Sequence, residues 1–290
     1  MFATPILRGV DPRREDSNGK PANRCCVRMR ANAFTAAAWL AMAIILPLRV
    51  VAGESPVNAD KSDFSSRAHA AFIKTRAEYQ SDTNSAGTAW QFGRACFDWA
   101  EYAESKSARA EIARQGIAAT RRALAIQPNS APAHYYLAMN LGQLARTELL
   151  GALRLVDQME QEFSLAAKLD EHLDYAGPDR NLGLLYSEAP AFGSIGSRTK
   201  ARQHLLRAVQ LAPDYPENRL NLMEAYLKWD ETASARRQLK ALDQLLPAAR
   251  KKFSGDEWAS SWVDWEKRLK EAREKLQVTT KPLLSPRQTE

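Results

Sequence analysis

The chain has 290 residues, of which 45% are hydrophobic and 26% charged, with a formal net charge of +7. That apolar share is enough to bury a sizeable core and excludes a wholly disordered chain, and the length suits one or two ordinary domains. The positive charge does not mark a nucleic-acid binder, because it is concentrated at one end. Residues 1–52 hold eight Lys and Arg against three acids, and the remainder carries 33 basic and 31 acidic side chains with the signs interspersed.

Residues 1–52 read as a signal peptide with a long N-terminal extension. Arg24, Arg28 and Arg30 precede an apolar run from Ala33 to Leu48, and Val50-Val51-Ala52 ahead of Gly53 suits cleavage after Ala52. The run is shorter than the roughly 20 apolar residues a membrane-spanning helix needs, contains Pro47 and is followed by Arg49. The mature protein is therefore expected to be periplasmic or secreted, with membrane contact only through the leader if it is retained. Met29 is an alternative start. Cys25 and Cys26 lie ahead of the apolar run without a lipobox and would depart with the leader, which leaves Cys96 and no intramolecular disulfide. In its helical surroundings Cys96 is expected to be a small buried hydrophobe rather than a nucleophile.

After the leader, residues 53–66 are polar and read as a linker, residues 67–277 as one helical domain, and residues 278–290, with Lys281-Pro282 and Ser285-Pro286, as a disordered tail. No stretch of the domain shows convincing strand alternation; the informative signal is repetition. Ala201, Leu205, Ala208 and Pro213 recur 34 residues later as Ala235, Leu239, Leu242 and Pro247, the length of a two-helix repeat. Arg122-Ala123, Pro128 and Leu137 match Arg207-Ala208, Pro213 and Leu222 at a constant offset of 85.

These residues resemble the tetratricopeptide-repeat (TPR) family. Leu182-Gly183…Tyr186, Leu222-Met223…Tyr226 and Leu137-Ala138…Leu141 are similar to its first helix, and Ala201, Leu205, Ala208 and Pro213 to its second. Small residues let paired helices approach closely, large ones fill the gap, and a proline stops the second helix. The resemblance implies an all-α, TPR-like helical-hairpin solenoid of about four repeats. The first two repeats hold extra residues around Glu101 to Glu111 and Thr147 to Met159, still helical in pattern, so lengthened helices are expected there. A shorter insertion runs from Ala189 to Ser197. With the stretch Tyr175 to Ala201, this lengthening resembles the periplasmic T-component proteins of TRAP transporters, although the lipid-anchoring Cys of that type is missing. Related lengthened repeats also occur in a eukaryotic family linked to microtubules, whose cytosolic setting the secretory leader opposes.

The C-terminal end reads as a capping helix. Ser254-Gly255-Asp256-Glu257 has the pattern of a capping box, Phe253 and Trp258 the spacing of a hydrophobic staple, and Trp258, Trp262 and Trp265 share a face that would cover the open end of the stack.

No catalytic constellation stands out, and no cofactor or metal is implied. His69, His134, His172 and His204 are far apart and read as helix surface; Gly193 to Lys200 reads as a turn with Ser197 capping a helix rather than a phosphate cradle. An enzyme is not expected. Function then falls to a binding surface, and the TPR register implies an inner groove lined by Tyr135, Met139, Gln143, Arg180, Leu184, Glu217, Glu224 and Lys228. The expected partner is a protein, such as a periplasmic solute-binding protein, or a small apolar ligand; peptide segments of an envelope complex are the alternative. The nearly neutral repeat surface also leaves homo-oligomers open.

Overall fold

A computed structural model describes residues 56–148 and 151–278; for 56–62 and 278 it gives the backbone only. The leader, its cleavage site, Cys25, Cys26 and the tail from 279 lie outside the described residues. Among the described residues ten helices occur in chain order: α1 (Pro56–Ser81), α2 (Ala86–Ala100), α3 (Lys106–Ile126), α4 (Ala131–Ala145), α5 (Ala152–Leu169), α6 (Gly177–Glu188), α7 (Arg198–Leu211), α8 (Pro216–Lys228), α9 (Thr232–Lys252) and α10 (Asp256–Val278). Among the described residues there is no strand. Each helix packs on the next as far as α9, and α2 with α3, α4 with α5, α6 with α7 and α8 with α9 make four antiparallel hairpins.

The repeated residues sit where their sizes require. Ala123, Ala201, Ala208 and Ala235 are completely buried, and Leu137, Leu182 and Leu222 are at most 4% exposed between the helices they join. Serine hydroxyls start several helices: Ser85, Ser105, Ser130 and Ser197 each accept from the backbone N–H three residues on. The glycine-rich segment before α7 is thus a capped turn, as expected. The lengthening is real: α3 has 21 residues and α5 has 18. Their starts are set off from the preceding helices, by the turn at 101–105 for α3 and by a chain that leaves helical form at 146–148 for α5.

Three expectations need correction. The 53–66 segment is helical from Pro56 onward. Its helix lays a narrow stripe of Phe64, Ala68, Phe72 and Tyr79 inward, and Arg67 donates to the carbonyl of Asp256 at 3.2 Å, so the first helix touches the start of the last. Pro247 does not stop its helix but lies inside α9. The last turn carries Ala249 and Phe253 into the aromatic cluster of the cap, and that burial outweighs the hydrogen bond proline forfeits. At α10 the position before the first helical residue is Gly255, with φ +95°, rather than Ser254, and its carbonyl accepts from Trp258 N at 3.1 Å.

The cap itself follows the tryptophan pattern. Phe253 and Trp258 lie 4.8 Å apart between ring centroids, and Trp262 and Trp265 lie 4.9 Å apart edge to face. Trp262 Nε1 donates to the carbonyl of Phe253 at 2.6 Å. All three tryptophans are buried, closing the end of the stack with rings that would otherwise face water. Cys96 is completely buried between α1, α2 and α3, and burial pushes its thiol well up, so it is an unreactive packing residue.

Candidate functional site on the inner wall

The first helices of the hairpins line the inner wall of a solenoid. The eight expected groove residues lie on α4, α6 and α8, but not as an open surface. Tyr135, Met139, Gln143, Arg180 and Glu217 are all buried, Leu184 and Glu224 are half-buried, and Lys228 alone of the eight is exposed. The reading of an accessible groove along all eight positions is therefore corrected: neighbouring helices supply partners that seal most of it.

Those partners form two polar knots. At the end where α2 and α4 finish, Gln143 Oε1 accepts from Arg109 at 2.7 Å and from Arg146 at 3.1 Å, while its Nε2 donates to Glu101 at 2.6 Å. Arg146 also pairs with Glu101 at 2.8 Å. At the other end, Tyr135 donates to Asp174 at 2.7 Å and accepts from Asn181 at 3.0 Å, and Arg180 pairs with Asp174 at 2.8 Å and donates to Asn218 at 3.2 Å. Burial, then the neighbouring Asp174, push the Tyr135 phenol well above its ordinary range. For Arg180, burial opposes the charge, but the oxygens around it, Tyr135, Asp174 and Glu217 among them, raise its pKa above the usual value. Further along, Arg268 of α10 reaches back to α8 with Nε 2.6 Å from Glu224 Oε1, and its Nη2 donates to Asn221 Oδ1 at 2.6 Å. Lys228 donates to the carbonyl of Ser187 at 2.6 Å and to Glu188 at 2.9 Å.

The polar residues that complete this wall, Asp98, Glu101, Arg109, Arg146, Asp174, Asn181, Asn218, Asn221 and Arg268, were not legible as groove residues. Each matters through a neighbour on another element, and no local spacing announces that.

Asp98 carries a measurable consequence. It sits on α2 with its side chain 13% exposed, and its pKa is raised from the ordinary 3.8 to about 7. Burial is the main cause; Arg94 opposes it at 3.8 Å, and Asp174 and Glu101 add to it. The folded chain thus holds a proton that the unfolded chain releases between about pH 4 and 7, so this residue's contribution falls as pH rises through that window and is most unfavourable above it. Asp98→Asn should raise stability by about 1–3 kcal/mol at pH 8 and leave it unchanged below pH ~4. Urea titrations at the two pH values check this, and an equal effect at both would refute it.

The histidines were expected on the helix surface, and two are not. His134 is 9% exposed and bridges Glu162 at 2.5 Å and the Pro128 carbonyl at 2.9 Å. His204 meets Asp179 at 2.8 Å and stacks on Tyr186. Among the described residues, no group of three or more His, Cys, Asp and Glu side chains gathers as a metal site would require.

Comparison with known proteins supports the architecture. The family model for Regulator of microtubule dynamics protein 1-3 matches residues 57–172. TTC0263, a thermophilic TPR protein of Thermus thermophilus, superposes with a TM-score of 0.53 at 18% identity, covering 75% of this chain and 95% of that one. MamA gives a TM-score of 0.41 at 16% identity over 70% of this chain and 98% of its own; yeast Tom70 gives 0.32 at 11% over 79% and 63%. No curated protein matches the sequence. With its four hairpins and its likeness to TTC0263, the chain is an all-α, TPR-like solenoid.

Proposed function

We propose that this protein is an exported, non-catalytic scaffold that docks a partner protein on its inner wall. The observation that carries this reading is the state of that wall: its buried charges are already paired, as Arg180 is with Asp174 and Arg268 with Glu224, while Leu184, Glu224 and Lys228 keep accessible surface. Ion pairs already formed cost nothing to order on binding, so the wall is a preorganised platform for a polypeptide. The leader favours the periplasm, and the likeness of Tyr175 to Ala201 to T-component proteins favours a solute-binding protein as the partner, with a small apolar ligand as its cargo.

The test is a pull-down from a periplasmic extract with tagged protein and a Leu184→Asp, Lys228→Glu variant. Recovery of a solute-binding protein by the parent and about tenfold less by the variant supports the reading; equal recovery, or none by either, defeats it. Native mass spectrometry of the same preparation shows whether an apolar molecule travels with the protein. The name of the matched family offers a second reading, contact with microtubules, which co-sedimentation with polymerised tubulin checks and an exported mature chain excludes.

A further inference from the structure

Away from the inner wall, α3, α4 and α5 enclose a cleft of about 330 Å³. Its floor is aliphatic, with Ile117 and Leu155 buried and Leu144 at 8% exposure. Its rim is cationic: Arg114 and Arg121 stand on α3 and Arg154 on α5, all three exposed. Several other arginines are paired with acids, as Arg109 and Arg146 are with Glu101, Arg198 and Arg202 with Glu231, and Arg268 with Glu224. Among the described residues no ion pair joins Arg114, Arg121 or Arg154 to a carboxylate. Three guanidinium groups around one small cleft repel each other, and an anion placed among them removes that penalty while gaining charge-assisted hydrogen bonds.

We infer that this cleft binds an acidic peptide segment in extended form, with aliphatic side chains between its acids. The spacing sets the motif. Arg114 and Arg121 are seven residues apart on one helix, about 10 Å along the axis. A chain in the polyproline II conformation has three residues per turn and advances about 3.1 Å per residue, so two acids three positions apart lie on one face about 9 Å apart with two residues between them. Those two residues lie over Ile117, Leu144 and Leu155, and the volume sits at the lower end of the roughly 300–1,000 Å³ of ligand pockets, suited to one or two side chains rather than a whole helix. Arg154 faces the pair from the neighbouring helix and fixes which way the segment runs.

The experiment uses the full mature chain and a fluorescein-labelled peptide, Gly-Ser-Glu-Leu-Leu-Glu-Ser-Gly, read by fluorescence polarisation. Binding should saturate and weaken as salt is raised. Replacing both Glu by Gln, or both Leu by Ala, should weaken it about tenfold, each single Arg→Ala at 114, 121 or 154 about threefold, and the triple variant about thirtyfold. These arginines are exposed, and unchanged thermal midpoints would show that the variants fold. Equal affinity for the Gln peptide, undiminished binding by the folded triple variant, or no saturable binding up to millimolar protein overturns the inference. So does sodium laurate binding in an arginine-dependent way where the peptide does not, since the cleft would then serve a small amphiphile. The cleft shares no residue with the inner wall, so the pull-down above and this titration can fail independently.

Discussion

Replacing Arg180 with alanine should destabilise the protein by about 3–5 kcal/mol, the cost of removing one partner from a buried ion pair. The reason lies in the turn before α6. Asp174, Tyr175 and Ala176 have φ of 50°, 56° and 62°, three successive non-glycine residues in the left-handed region. Each such residue costs roughly 1–2 kcal/mol, so the turn persists only because its surroundings over-determine it. Arg180 does most of that. Its Nη1 donates to the carbonyls of Asp174 at 3.1 Å and Tyr175 at 3.2 Å, and its Nη2 to the Asp174 carboxylate at 2.8 Å. Asn218 adds a bond to the Tyr175 carbonyl at 3.0 Å, and the Tyr175 ring stacks on Tyr215 with centroids 4.6 Å apart. Without the guanidinium, the mostly buried Asp174 carboxylate keeps only the Tyr135 hydroxyl among these partners, the Asp174 carbonyl loses its bond from Arg180, and the Tyr175 carbonyl keeps only Asn218. Arg180→Lys restores the charge but not the planar fork and should recover less than half of the loss. Urea midpoints give the magnitude, and hydrogen exchange at residues 173–177 shows whether the turn opens first. A loss below about 1 kcal/mol would mean that aromatic stacking alone holds the turn.

That turn also marks where reading the sequence stops. The hairpins were legible because their signal is local and repeats: Ala208 and Leu222 do what Ala123 and Leu137 do, and an alanine or leucine fully buried between two helices needs only its own helix to announce it. The tryptophan cap was legible for the same reason. The inner wall was not, because the burial of Gln143 depends on Glu101 and Arg109, and that of Arg180 on Asn218, residues 34 to 42 positions away. A register assignment says which side of a helix a residue is on; it does not say whether the next helix brings an opposite charge to cover it. Asp-Tyr-Ala gives no hint of left-handed backbone, since only the residue after it is glycine. Pro247 misled in the opposite sense: its local rule was sound, but burial of Ala249 and Phe253 beyond it was decisive.

A close approach between two helices offers the second large effect. A Cβ at Gly183 would sit 2.6 Å from Leu205 Cγ and 3.0 Å from the Leu205 backbone N, distances that need α6 and α7 to move apart. Leu205 is completely buried and has nowhere to swing. Gly183→Ala should therefore destabilise by about 1–3 kcal/mol, although alanine gains about 1 kcal/mol over glycine in helix propensity, and Gly183→Val should cost about 4 kcal/mol. The sign is the informative part, because at an uncrowded helical glycine the alanine would stabilise. Leu205→Ala alone should cost about 2–5 kcal/mol through the cavity it leaves. In the double variant the alanine methyl at 183 moves into that cavity, so the two losses should fall short of their sum by at least about 1 kcal/mol. Strict additivity would place the strain elsewhere, whereas the shortfall would show that the spacing of this hairpin is set by one glycine against one leucine.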